Sequence, residues 1–253
     1  MIPYFGWQTI SVGPVDIQVW GLFVALGISL GLWVGYRQAV RNGLDGNAFL
    51  DVSAWSVFLA IVLSRLFFVL AYRPDILASP LSIIRIWDGG MSALGGFLGA
   101  GLAFTLFFRK QRQAAVGYLN AAAFGLPWGY AVGRIGCFLI HDHVGLASGS
   151  FLAVNFPGGP RLDLGLIHAI FGLSVGLLFV AVRARNRNVD LPYFLIFFLI
   201  YGLGRFGLDF LRDWETPLAE TRWFFLTPTQ VFSVPIALSC LWLLLRKGNR
   251  KRA

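Results

Sequence analysis

Long apolar runs separated by short polar stretches dominate the chain, with little of the strict alternation that marks surface strands. A helix needs roughly 20 mostly apolar residues to cross a bilayer. About seven runs approach that length: residues 19–36, 52–71, 91–108, 121–140, 164–182, 191–210 and 229–245. The pattern predicts an all-α integral membrane protein with about seven transmembrane helices, forming one polytopic domain over residues 1–253. No internal repeat, low-complexity tract or stretch the size of a soluble domain interrupts it. Residues 1–16 have neither a Lys/Arg-rich start nor a small-residue cleavage site, so they do not read as a removed signal peptide. Pro3, Gly6, Gly13 and Pro14 among Tyr4, Phe5 and Trp7 predict instead a short aromatic segment at the membrane interface.

Composition agrees: 57% of residues are hydrophobic and 13% charged, against about 25% charged in soluble domains. Mean hydropathy is +0.70. The net charge of +9 would suit nucleic acid only if the basic residues formed a solvated patch. They sort by side of the membrane instead. Arg37 and Arg41 follow the first span, Arg109, Lys110 and Arg112 the third, Arg183, Arg185 and Arg187 the fifth, and Arg246, Lys247, Arg250, Lys251 and Arg252 the seventh. The positive-inside rule makes that side cytoplasmic, with the N-terminus outside and the C-terminus inside. The two cysteines, Cys137 and Cys240, are far apart in apolar context and suggest neither a disulfide framework nor a zinc cluster.

The remaining arginines carry the functional information. A charge at mid-bilayer costs about 2.5–3.5 kcal/mol on insertion scales, so an intramembrane arginine is a functional candidate by default. Arg65, Arg134 and Arg205 are such cases. Arg205 and Asp209 are spaced to meet on one helix face, which alone reads equally as a structural pair. Three arginines with too few acids to match them favour an anion, and guanidinium grips phosphate in two-point fashion. In a membrane the available anion is a lipid head group. Glycines mostly mean close helix packing, but Gly89-Gly90 after Trp87-Asp88 predicts a tight turn that exposes backbone N–H groups to an anion. The three histidines gather at His141, His143 and His168. His141-Asp142-His143 suits proton transfer near neutral pH. A solvated loop, or a metal held with Asp142 or His168, are the competing readings, and the sparse supply of further ligands argues against metal.

Together these segments resemble the prolipoprotein diacylglyceryl transferase family over nearly the whole chain. The resemblance rests on Arg85-Ile86-Trp87-Asp88-Gly89-Gly90-Met91-Ser92 with Gly95-Gly96, and on Gly133-Arg134-Ile135-Gly136-Cys137-Phe138 with Gly145. It continues through Tyr201-Gly202-Leu203-Gly204-Arg205-Phe206-Gly207-Leu208-Asp209-Phe210 and Gln230, Ser233 and Pro235. Seven spans with the N-terminus outside also agree with the family. Arg134, Arg205, Asp209, Gly89, Gly90 and Gly145 carry over, and Asp142 stands where the family has an acidic residue. The family has His at Leu94, Asn at Cys137 and Tyr at Trp20, and a different segment at 162–168 that here ends in His168.

The resemblance implies an enzyme of the bacterial inner membrane that moves diacylglycerol from phosphatidylglycerol to a lipoprotein-precursor cysteine, with its site toward the outer face. Arg134 and Arg205 would stabilise the departing phosphate, Asp209 would hold Arg205, and Asp142 with His141 or His143 would serve proton transfer. Trp20, Arg65, Arg85, Asp88, Gly89, Gly90, Leu94, Cys137, Gly145 and His168 are the expected substrate contacts. No cofactor, metal or nucleic acid is implied, and the protein is expected to be a monomer. The departures gather where an acceptor would approach and favour a changed acceptor, which leaves a lipobox cysteine, another thiol, a hydroxyl or a lipid open. The alternative is a non-catalytic phospholipid-binding or lipid-transport protein, which would not need the histidines.

Overall fold

The computed structural model describes residues 1–85, 90–110, 112–186, 191–213 and 225–250. Asp88 and Gly89, two of the expected lipid contacts, lie outside the described residues. The helices are α1 (Val19–Arg41), α2 (Gly46–Tyr72), α3 (Pro80–Ile84), α4 (Ala93–Phe107), α5 (Arg112–Ile140), α6 (Leu164–Arg185), α7 (Tyr193–Leu208) and α8 (Pro228–Arg250). Among the described residues, six helices are long and apolar enough to cross a membrane: α1, α2, α5, α6, α7 and α8. The third expected span corresponds to α4, whose 15 residues reach roughly 22 Å against a hydrocarbon core of about 30 Å. Its start is fixed by Ser92, whose hydroxyl accepts from the Gly95 N–H, so residues 91 and 92 precede the helix. Asp45 and Asp163 cap α2 and α6 in the same way, accepting from Asn47 and Leu166.

The chain forms two compact units, Met1–Gln38 with Asn120–Ala253, and Ala39–Leu119. Bilayer lipid is as apolar as leucine, so helices associate mainly through close packing and hydrogen bonds. In the second unit α4 meets α2 through Gly95 and Gly99, where any Cβ would run into the carbonyl oxygens of Leu63 and Leu59. In the first unit α1 and α5 touch backbone to backbone: a Cβ on Gly27 would lie 2.5 Å from the Gly129 oxygen, and one on Gly129 2.7 Å from the Gly27 oxygen. Gly202 brings α7 against α8 beside Ser233 and Ala237. The apolar core of this unit joins Ala123, Phe124, Val175, Phe179, Tyr193 and Phe197.

The polar stretches also fold, which the apolar pattern did not predict. Strands β1 (Ile2–Pro3), β5 (Ala153–Phe156), β6 (Gly159–Asp163) and β4 (Val144–Ala147) form a sheet in that spatial order, β1 parallel to β5 and the others antiparallel. A separate hairpin pairs β2 (Thr9–Val12) with β3 (Val15–Gln18) around Gly13, which has φ +61°. Strands of two to five residues are too short for their period to stand out from a loop. The N-terminal segment expected as an aromatic interface loop therefore supplies a sheet strand and a hairpin.

Candidate functional site

The site begins on the last turns of α5. Tyr130, Arg134 and Cys137, spaced four and three residues apart, share one helix face. The Arg134 guanidinium stands over the Tyr130 ring, 5.2 Å from its centroid, and its Nη1 donates to Cys137 Sγ at 3.9 Å. Trp20 of α1 lies beside the same sulfur. α5 ends at Ile140, and His141 takes the left-handed conformation at φ +53°. That turn folds the chain back, so Asp142 and His143 lie over the helix end, bonded to each other through a carboxylate oxygen and Nδ1. Cys137 Sγ, an Asp142 oxygen and a His143 ring nitrogen all lie within 4.8 Å of one another. Among the described residues, no carboxylate forms an ion pair with Arg134.

His141 and His143, expected to act in the same loop, are separated by this turn. His141 is buried and donates from Nδ1 to Asp163 Oδ2 at 2.7 Å. The rings of Tyr4, Phe5, Phe138 and Phe156 pack around it, with centroids 4.6–5.5 Å away. It fastens the sheet and the N-terminal segment to α5, and His143 is the half-buried member of the pair. Asp163, which the sequence reading left without a role, is thus both the partner of His141 and the cap of α6. Burial pushes its carboxyl above the usual carboxylate range, with the His141 hydrogen bond opposing the shift. An acid raised in the folded state favours folding in its protonated form, so its contribution falls as pH rises from the ordinary value of 3.8 through the higher folded value. Asp163→Asn can still accept from the Leu166 N–H through its one oxygen and can donate from its NH2 to His141 Nδ1 in the other ring tautomer. It should flatten the dependence of melting temperature on pH across that window, and an unchanged slope would assign the dependence to other groups.

Behind α5 lies a buried polar network. Arg205 Nη1 donates to His168 Nε2 at 2.6 Å, and Nη2 lies 3.4 Å from Asp209 Oδ1. Arginine has no acceptor, so His168 carries its proton on Nδ1. Asp209 Oδ2 accepts from Thr227 Oγ1 at 2.8 Å. Thr227 and Gln230 cap α8 reciprocally: Thr227 Oγ1 accepts from the Gln230 N–H, and Gln230 Oε1 from the Thr227 N–H. Gln230 Nε2 also donates to the Phe206 carbonyl. The Thr-x-x-Gln spacing before an apolar run is a capping-box signal that would have revealed this link. His168 Nδ1 and Arg205 Nε are buried without a hydrogen-bond partner among the described residues, and such donors call for an explanation. His168 lies within electrostatic reach of Arg205, Arg134, His143 and Arg212, and its ring lies edge-on to Tyr130 at 6.2 Å. The expected residues Arg134, Asp142, His143, His168, Arg205, Asp209, Cys137 and Trp20 therefore share one neighbourhood.

Other expected contacts have structural surroundings. Gly145 is clamped in β4: a Cβ there would lie 2.8 Å from the Leu211 oxygen and 3.0 Å from that of Leu162. Its carbonyl accepts from Arg161 Nε, and Arg161 Nη2 pairs with Asp213 Oδ1 at 2.8 Å, tying the sheet to the segment after α7. In the second unit Arg65 directs Nε, Nη1 and Nη2 to the carbonyls of Ile83, Gly90 and Ser82. Gly90 has φ +77° and faces the Phe68 ring where a Cβ would sit. Arg65 thus braces the segment before α4. Arg85 and Leu94 are exposed in the same unit.

Membrane-length helices around a buried Arg–His–Asp network, with an arginine that forms no ion pair with a carboxylate among the described residues, define a polytopic membrane protein with an arginine-centred polar site. A family model described as prolipoprotein diacylglyceryl transferase matches residues 8–246. The phosphatidylglycerol--prolipoprotein diacylglyceryl transferase of Chromohalobacter salexigens is 31% identical over 246 residues, covering 92% of this chain and 90% of that protein. Its namesake in Solidesulfovibrio magneticus is 30% identical over 259 residues, covering 99% and 98%, and that of Nitratidesulfovibrio vulgaris 32% over 246 residues, covering 94% and 92%. The chain belongs to the prolipoprotein diacylglyceryl transferase family.

Proposed function

We propose that the protein transfers a diacylglyceryl group from phosphatidylglycerol to the cysteine thiol of a lipoprotein precursor. The observation that carries this reading is Arg134, a guanidinium with no carboxylate partner among the described residues, one turn from a polar corner made by Cys137, Asp142 and His143. The lipid phosphate lies against Arg134 in two-point fashion. Arg205 is held by Asp209 and His168, and the donors Arg205 Nε and His168 Nδ1, without a hydrogen-bond partner among the described residues, add to the positive surroundings. The acceptor thiol loses its proton at the Asp142–His143 corner and its sulfur attacks the glycerol carbon. The carbon–oxygen bond to phosphate breaks, and glycerol phosphate leaves with the bonding pair. Fixed cations in a water-poor site stabilise that developing charge.

The test uses purified full-length protein, labelled phosphatidylglycerol and a lipobox-cysteine peptide. Release of glycerol phosphate with a thioether on the peptide is the expected result. Lipid binding without release would support the binding-protein alternative. In cells, the gene should rescue a bacterium depleted of its own diacylglyceryl transferase, and failure of rescue with retained lipid cleavage would point to another acceptor. The reading also places the protein in the bacterial inner membrane as a monomer, N-terminus and site outside. A reporter fused after Ala253 should read cytoplasmic and one inserted within residues 146–150 external, and the opposite pattern would reverse the orientation.

A further inference from the structure

Tyr130 stands one turn before Arg134 on α5, and side chains from α5, α6 and α7 together hold its ring. The Arg134 guanidinium covers one face, 5.2 Å from the centroid. Gly172 of α6 makes room on another side, since a Cβ there would lie 2.9 Å from Tyr130 Cδ1. Tyr201 of α7 and His168 of α6 meet the ring nearly at right angles, with centroids 5.5 and 6.2 Å away. A phenylalanine would make every one of these contacts. Tyrosine adds only a hydroxyl, and that oxygen is buried without a hydrogen-bond partner among the described residues. It lies within electrostatic reach of both Arg134 and Arg205.

A buried hydroxyl that makes no hydrogen bond destabilises a fold relative to the same ring without it, so its place in a fixed seat calls for an explanation. Two further buried donors of the same neighbourhood, Arg205 Nε and His168 Nδ1, also have no hydrogen-bond partner among the described residues. His168 Nδ1 carries its hydrogen because Nε2 accepts from Arg205. Arg134 stands with them and pairs with no carboxylate among the described residues. Groups that can all donate, two of them cationic, complement an oxyanion. We infer that the Tyr130 hydroxyl is a ligand of the lipid phosphate, donating to it between the guanidiniums of Arg134 and Arg205.

The identity of the lipid, and the part Tyr130 plays in turnover, rest on the transferase reading above. Each non-bridging oxygen of a phosphate diester accepts more than one hydrogen bond, so the hydroxyl adds to the two-point grip of Arg134 without displacing it. As the sulfur–carbon bond forms and the carbon–oxygen bond to phosphate breaks, the departing oxygen takes the electron pair and negative charge on the phosphate grows. Tyr130 keeps its proton throughout, and its hydrogen bond strengthens with that charge. Because the ring is already locked, little reorganisation is needed when the charge develops. Tyr130 therefore acts more on turnover than on lipid binding.

The experiment compares Tyr130→Phe with the parent as purified full-length proteins in a phosphate-free detergent. The ligands are phosphatidylglycerol, diacylglycerol as the same tails without phosphate, and glycerol phosphate as the same phosphate without tails. Without ligand the variant should melt at or above the parent's temperature. A lower melting temperature would show that the hydroxyl is already satisfied within the protein, and overturns the inference. Phosphatidylglycerol and glycerol phosphate should each raise the variant's melting temperature less than the parent's, and diacylglycerol should affect both proteins alike. Turnover of bound phosphatidylglycerol should fall about 10- to 100-fold, the loss expected for one hydrogen bond to a charged group. Equal responses to phosphatidylglycerol in the two proteins overturn the contact, as does a difference confined to glycerol phosphate or one that also appears with diacylglycerol. If the parent binds phosphatidylglycerol but releases no glycerol phosphate, the transferase reading fails, and the weaker response of Tyr130→Phe to that lipid still supports the contact.

Discussion

Arg134→Ala should lower glycerol phosphate release by about 100- to 1,000-fold, the loss that follows removal of one preorganised group aimed at developing negative charge. Arg134→Lys should recover little of it, because an ammonium is a point charge and cannot grip two phosphate oxygens in the planar fork of a guanidinium. The fold should tolerate both changes. Arg134 is half-buried and its neighbours are the Tyr130 ring and the Cys137 sulfur, with no ion pair among the described residues left broken by its removal. Melting temperature should therefore move little while turnover collapses. Near-normal turnover in the lysine variant would remove the two-point grip from the mechanism.

Arg205→Ala should behave differently, with its principal effect on stability. Arg205 and Asp209 are buried, and Asp209 is also bonded to Thr227 at the cap of α8. Deleting the arginine leaves a buried carboxylate without its cation, at a cost of about 3–5 kcal/mol. Arg205→Ala/Asp209→Ala should recover part of that loss, because no uncompensated charge then remains. Thermal melting of both variants and of Asp209→Ala closes the double-mutant cycle. Strict additivity would show that the two side chains do not act as a pair, and Arg205 would then have no need of Asp209 to hold its place.

The two arginines look alike in the sequence, each set among glycines in an apolar run. Tertiary contacts separate them. Asp209 was legible as a partner of Arg205 because four residues make one helical turn. His168 was not, because it comes from α6, far away in sequence. The histidine loop shows the same limit. His141 and His143 are equivalent on spacing, yet His141 turns inward to Asp163 and an aromatic wall because the helix ends there in a left-handed residue. Asp142 and His143, adjacent in sequence, meet because that same turn reverses the chain over Cys137.

What the sequence determined by itself is what short-range physics governs. Apolar length fixed the helices, since a bilayer leaves no other way to satisfy the backbone of a single crossing segment. The uneven spread of Lys and Arg supplied an orientation to test, and the unmatched intramembrane arginines pointed to an anion. Only the tertiary structure decided which polar residues share a site. Arg65 braces the carbonyls of Ile83, Gly90 and Ser82, whereas Arg134 faces sulfur and ring and forms no ion pair with a carboxylate among the described residues. Strands of two to five residues became a sheet only by pairing across more than 150 positions, as Ile2 does with Val154. Contacts of that range depend on how helices stack, and helix stacking is set by backbone approach at glycines such as Gly27 and Gly129, which no single run of residues records.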